Sequence, residues 1–191
     1  AYSVPTAVTE ILRFQTVRAD VGRVNGRYFA ETLSFGLDAA IALDTMDRRQ
    51  KSGRAGTMLY LESAVDQLFH HLQVFSFKMD VLGAEPGCAP HPEWDDAYLV
   101  AVQVGPTYGG HFRITPKARL DDGLLDICWA TPELSPMRAL ALLLRARGGK
   151  HTGSDHIHFR RASSLVLDFE EEPPAQMDGE PVRGTHFVID C

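Results

Sequence analysis

Apolar residues at three- and four-residue steps (Val8, Ile11, Leu12) predict a helix over residues 5–13. From residue 16 the pattern changes to short apolar runs, which predict strands over 16–20 and 27–34 around the Asn25-Gly26 turn. Helical spacing returns over 37–46 and 56–71. Residues 73–82 then alternate Val74, Ser76 and Lys78 against Phe75, Phe77 and Met79, as a strand with one face on a core would. Residues 83–96 are rich in Gly, Pro and acidic side chains and predict a loop, whereas 97–104 and 124–130 read as apolar strands. Ser135-Pro136 places a capping residue before a proline at the first helical position, opening a helix that Gly148-Gly149 ends. Strands are predicted at 157–161, 164–169, 175–178 and 186–190. Strands dominate and short turns join them. The expected fold is therefore mainly β (α+β), an antiparallel β-sandwich with a few peripheral helices, and not a repeating βαβ pattern.

Charge and cysteine content narrow the partners. A net charge of -6 leaves no basic excess to neutralise phosphates, which argues against nucleic acid. The three cysteines, Cys88, Cys128 and Cys191, are far apart and odd in number, so neither a disulfide framework nor a zinc ribbon is expected. A reducing compartment follows. No apolar run approaches a membrane span, and the first residues have neither the charge nor the apolar core of a signal peptide. Arg138, Arg145 and Arg147 flank a leucine-rich helix face, for which packing on the sandwich is the main reading and contact with an anionic membrane the lesser one.

Two Asp-Gly turns are the candidates for chemistry. Asp121, Asp122 and Asp126 surround Gly123, a set that could offer oxygen ligands to a hard cation or be a plain solvated hairpin. Asp178-Gly179-Glu180 sets two carboxylates about a glycine, where Asp178 could take a proton from a hydroxyl, and again a hairpin turn explains the residues as well. His151, His156 and His158 tempt a metal reading, but His156 and His158 share a strand face with no third ligand spaced for zinc, and solvent-facing histidines are the better reading.

Five ordered stretches carry a family resemblance: Asp20-Val-Gly-Arg-Val-Asn-Gly-Arg-Tyr-Phe29, Phe35-Gly-Leu-Asp-Ala39, Tyr108-Gly-Gly110, the run from Ile114 through Leu120-Asp-Asp-Gly-Leu-Leu-Asp126, and Gln176-Met-Asp-Gly-Glu180. Over nearly its whole length the chain resembles the C-terminal domain of the diacylglycerol kinase-like lipid kinases, a superfamily that also holds sphingosine kinases and, more distantly, NAD kinases. The resemblance implies that residues 1–19 are a linker or remnant of a preceding nucleotide-binding domain and 20–191 the C-terminal β-sandwich. It implies ATP as co-substrate, Mg²⁺ as cofactor and a lipid with a free hydroxyl as acceptor. Asp178 then looks like the catalytic base with Glu180 beside it. The Arg119 and Leu124 carbonyls and the Asp122 carboxylate look like Mg²⁺ ligands, and Asp20 matches an acidic position in an Mg²⁺–water network.

The departures also matter. No Gly-Gly-Asp-Gly-Thr nucleotide loop occurs in these 191 residues, so the ATP-binding half is expected on another segment. Gly105-Pro106-Thr107 stands where the family often has an asparagine, and the chain ends at Cys191 where family members usually continue. A cytoplasmic protein with transient contact at the membrane surface is implied, and sheet edges leave a homodimer open. The alternatives are a non-catalytic lipid- or partner-binding sandwich and, less favoured, an NAD kinase fragment.

Overall fold

The structure is a computed structural model and describes residues 4–54, 56–84, 91–109 and 112–191. A first helix, α1 (Val4–Leu12), buries none of its residues. The short hairpin β1 (Gly22–Val24) and β2 (Arg27–Phe29) leads into β3 (Thr32–Gly36), all five residues of which are buried. Helices α2 (Leu37–Ser52) and α3 (Thr57–His70) follow, then β4 (Phe75–Ala84), β5 (His91–Ala97), β6 (Leu99–Gln103) and β7 (Leu125–Ala130). Helix α4 (Pro136–Ala146) precedes the long strand β8 (Ile157–Phe169), and the chain closes with β9 (Ala175–Met177), β10 (Glu180–Val182) and β11 (His186–Asp190).

All pairings are antiparallel, in the order β10-β9-β3-β6-β7-β8-β11-β1-β2, with β4 between β8 and β5. Strand β8 explains how one sheet makes two layers. Ala162 pairs with both Leu125 of β7 and Ala84 of β4, and Ser164 with both Asp190 of β11 and Leu82 of β4. β7 and β11 therefore follow one another along the same edge of β8, with β4 on the other, and the sheet divides there. The two halves close over an aromatic core. Phe35 of β3 lies 4.7 Å from Phe169 of β8 and 4.8 Å from Phe187 of β11, centroid to centroid. Leu33, Ile127, Leu165 and Ile189 complete that core, fully buried.

The mainly β sandwich with peripheral helices is thus the observed architecture, with local differences. Residues 16–20 form no strand, because Asp20 is held by a turn rather than by a neighbouring strand. The predicted strand over 27–34 breaks at Ala30-Glu31, whose N–H groups turn to a side chain instead of a ladder. Part of the predicted 83–96 loop is strand β5, supported by pairing with β4, and 85–90 lie outside the described residues. The expected strands at 157–161 and 164–169 are one continuous β8, and β10 lies past the Asp178 turn. Cys128 is a buried free thiol and Cys191 an exposed one, and Cys88 lies outside the described residues. No described helix is long and apolar enough to cross a membrane.

Candidate functional site

Asp178 is carried by the two-residue turn between β9 and β10. Its φ is +48° and that of Gly179 is +91°, the left-handed geometry a tight hairpin of this kind demands and that Asp and Gly tolerate best. β9 is anchored by β3, with Met177 opposite Leu33 and Ala175 opposite Phe35. The buried Gln176 braces the turn from inside: its Oε1 accepts the Gly179 N–H at 2.7 Å and its Nε2 donates to Ser34 Oγ at 2.7 Å.

The exposed Asp178 carboxylate collects three backbone donors from the β2–β3 bend. Oδ2 accepts the Ala30 N–H at 2.6 Å, and Oδ1 accepts those of Glu31 and Thr32, each at 2.9 Å. An ionised carboxylate offers about four lone-pair sites, so one remains for a further donor. The turn lies at a cleft of about 410 Å³ whose walls include Thr32, Met46, Tyr60, Tyr108, Asp178 and Gly179. Gly110, next to Tyr108 and Gly109 in the third resembling stretch, lies outside the described residues. Glu180 starts β10, is exposed, and makes none of the described side-chain hydrogen bonds or ion pairs.

The second Asp-Gly turn is built differently. Gly123 has φ +70°, and its N–H donates to Asp20 Oδ2 at 2.8 Å, while the Asp20 N–H donates to the Leu120 carbonyl at 2.6 Å. The sequence-predicted Asp20 and the 119–124 turn therefore meet. Asp122 Oδ1 accepts the Leu124 N–H at 3.3 Å, and Oδ2 is paired with the Arg161 guanidinium. Arg161 also reaches Asp126 Oδ2 through Nε at 3.3 Å, and Asp126 and Arg161 are direct cross-strand partners on β7 and β8. Burial alone would pull the Arg161 guanidinium down, but its bonds and charge contacts with Asp122 and Asp126 win and raise it.

This donor set does not fit Mg²⁺ as the resemblance assigns it. Such a cation wants about six oxygens in near-octahedral geometry, and the assigned carboxylate, Asp122, already holds the permanently charged Arg161 guanidinium on Oδ2, which would repel a divalent cation placed there. Among the described residues no group of three or more His, Cys, Asp or Glu side chains is arranged to hold a metal ion. The Arg119 side chain pairs with Asp121 at 3.4 Å, which bears on the local charge and not on the carbonyl that the resemblance assigns as a ligand. The two Asp-Gly turns are also not one site. Strands β3 and β6 lie between β9 and β7, a lateral separation on the order of 14 Å.

Comparisons with known proteins fit this architecture. A family model described as "YegS C-terminal NAD kinase beta sandwich-like domain" matches residues 31–189. The chain belongs to this family. Among curated relatives, "Probable lipid kinase YegS-like" of Pectobacterium atrosepticum is 28% identical over 191 residues, covering 96% of this chain and 57% of the relative. The protein of the same description in Pseudomonas aeruginosa is 27% identical, covering 94% of this chain and 55% of its own length. The chain thus spans little more than half the length of these relatives. A crystal structure of a diacylglycerol kinase from Bacillus anthracis superposes with a TM-score of 0.65 at 19% identity, over 98% of this chain and 56% of that one, a likeness of fold.

Within this YegS-type domain, sequence reasoning missed several residues. Asp38 is buried at the start of α2, and desolvation pushes its carboxyl up to about 6 against an opposing hydrogen bond from Ser34. One of its oxygens has no hydrogen-bond partner. It lines an apolar cavity of about 70 Å³ beneath α4, shared with Ile41, Cys128, Leu142, Leu143 and His151. His151 is a correction to the solvent-facing reading. It is 3% exposed, its Nε2 lies 2.9 Å from the Ile114 carbonyl, and burial lowers its pKa. His158 also has a partner, stacking on Trp129 at 5.2 Å. Asp38 had a visible signal, an acid inside an apolar run, whereas Arg161 had none, because cross-strand register is invisible in a lone sequence.

Proposed function

We propose that this chain is the acceptor-side domain of an ATP-dependent lipid kinase, which moves the γ-phosphate of ATP to a lipid hydroxyl. The observation that carries the reading is the exposed Asp178 carboxylate, fixed by three backbone N–H groups beside a cleft of about 410 Å³. In the proposed step the lipid hydroxyl donates to the remaining lone pair of Asp178. As the oxygen attacks the γ-phosphorus, the O–H proton passes to Asp178, the new O–P bond forms, and ADP departs with the electrons of the broken bond. Fixing the base in advance removes the need to order it during the reaction. Glu180, two residues along and exposed, is placed to bias the local charge.

Mg²⁺ accompanying ATP would offset charge on the transferring phosphoryl group. The nucleotide itself is assigned to a segment outside these 191 residues, in keeping with the share of the YegS-like relatives that the chain spans. An acceptor with an apolar body suits the cleft walls formed by Met46, Leu59, Tyr60 and Tyr108.

The test is transfer of labelled phosphate from ATP to diacylglycerol in detergent mixed micelles by the complete protein that contains this chain. Lipid product formed only with enzyme and ATP is expected. Vesicle binding with no transfer to any hydroxyl lipid would favour the non-catalytic module instead.

A further inference from the structure

We propose that Arg161 is the resident cation of the 119–124 turn: its guanidinium takes the place a divalent metal would occupy, and the turn holds its shape without one. The inference goes beyond the kinase reading and stands without it.

The argument starts from charge. Asp121, Asp122 and Asp126 fall within six residues, with Asp20 brought alongside by its bond to the Gly123 N–H. Packed together without a counter-charge, such carboxylates repel, and two of them are substantially shielded from solvent, with side-chain exposures of 20% for Asp122 and 8% for Asp126. A positive charge is therefore required at this place. Strand register supplies it. Asp126 and Arg161 face one another across β7 and β8, so the guanidinium fork reaches Asp126 through Nε and Asp122 through Nη2. A planar, permanently charged fork suits two carboxylates better than a lysine would.

The turn's own groups complete the closure. Asp122 Oδ1 accepts the Leu124 N–H, and the Leu120 carbonyl accepts the Asp20 N–H. Arg161 thus fixes Asp122, Asp122 fixes the turn, and the turn fixes Asp20 at the point where the chain enters the sandwich. The charge that the resemblance assigns to a metal is carried in the covalent chain.

The test is thermal unfolding of the 191-residue chain and of Arg161→Met and Arg161→Lys, each with EDTA and with millimolar Mg²⁺, together with Mn²⁺ binding followed by electron paramagnetic resonance. In the wild-type chain the midpoint should move by less than about 1 °C between EDTA and Mg²⁺, with no micromolar Mn²⁺ site. Arg161→Met should unfold roughly 5–15 °C lower in EDTA, because its carboxylates lose their partner, and should recover part of that loss in Mg²⁺. Arg161→Lys keeps a charge and should stay insensitive to Mg²⁺. If Arg161→Met does not fold, the wild-type and Arg161→Lys measurements still decide. A wild-type midpoint that falls in EDTA, a tight wild-type Mn²⁺ site, or a folded Arg161→Met indifferent to Mg²⁺ would each overturn the proposal.

Discussion

Thr32 and Asp178 hold one another twice across 146 positions of chain: the Thr32 N–H donates to Asp178 Oδ1, and the Asp178 N–H donates to the Thr32 carbonyl, each at 2.9 Å. With Ala30 and Glu31 also donating to the same carboxylate, the β9–β10 turn and the β2–β3 bend form one rigid unit. Structure and proposed chemistry therefore meet in a single side chain. Any substitution of Asp178 must be read on both counts, since leaving buried or half-buried donors unpaired costs about 1–3 kcal/mol.

Asp38 gives a pH signature. Its ordinary value is 3.8 and burial lifts it to about 6 in the folded chain, so between those values the native state binds the proton more tightly than the unfolded one. Its contribution is thus most favourable below the unfolded value and is lost as pH rises through the folded one. Asp38→Asn removes the titration. Its stability relative to wild type should rise by about 2 kcal/mol between pH 4.5 and pH 7, measured from urea midpoints. A gap that stays constant across that range contradicts the burial of a carboxyl whose hydrogen bond from Ser34 only partly offsets its desolvation.

Gly36 should resist replacement where Gly123 tolerates it. Both have positive φ, +75° and +70°. A Cβ on Gly36 would lie 2.1 Å from the Phe75 ring and 2.4 Å from the Tyr98 carbonyl oxygen, whereas nothing stands within 4 Å of one on Gly123. Gly36→Ala should cost more than about 3 kcal/mol by denaturant unfolding, and Gly123→Ala only the backbone strain of about 1–2 kcal/mol. Equal losses would mean that the β3–α2 junction is looser than the contacts indicate.

Helix α1 should be dispensable to the sandwich. None of its residues is buried, and two of its side-chain bonds, Thr9 to Pro5 and Arg13 to Glu10, stay within the same segment. Deleting residues 1–12 should shift the thermal midpoint of the chain by no more than about 2 °C. A loss of roughly 10 °C would show that the helix packs on the domain in solution.

The sequence made the architecture legible where one side of a strand had to be buried. The Phe75, Phe77 and Met79 alternation marks β4, and the Asn25-Gly26 pair marks the β1–β2 hairpin, because these signals are local. What it could not show depends on partners distant in sequence. Residues 16–20 look like a strand in composition but find no neighbour to pair with, and β5 hides in a Pro- and acid-rich stretch because β4 supplies its ladder. The site divides in the same way. Asp178-Gly179 was readable as a hairpin, but its three N–H donors come from Ala30 to Thr32, and only the fold brings them together. The acidic turn was readable as a place needing positive charge, while the source of that charge, Arg161, depends on register across β7 and β8.

The central claim is that Asp178 accepts the proton of a lipid hydroxyl. The most direct measurement is phosphate transfer from ATP to diacylglycerol by the complete protein carrying Asp178→Asn, beside thermal unfolding of the same sample. The substituted carboxamide retains one oxygen for the 30–32 N–H groups but is a poor base. Transfer should fall about 10²–10⁴-fold while the protein remains folded with a midpoint several degrees lower. A folded variant that retains transfer within tenfold of wild type would contradict the account, leaving Asp178 as the fastening of the β2–β3 bend alone.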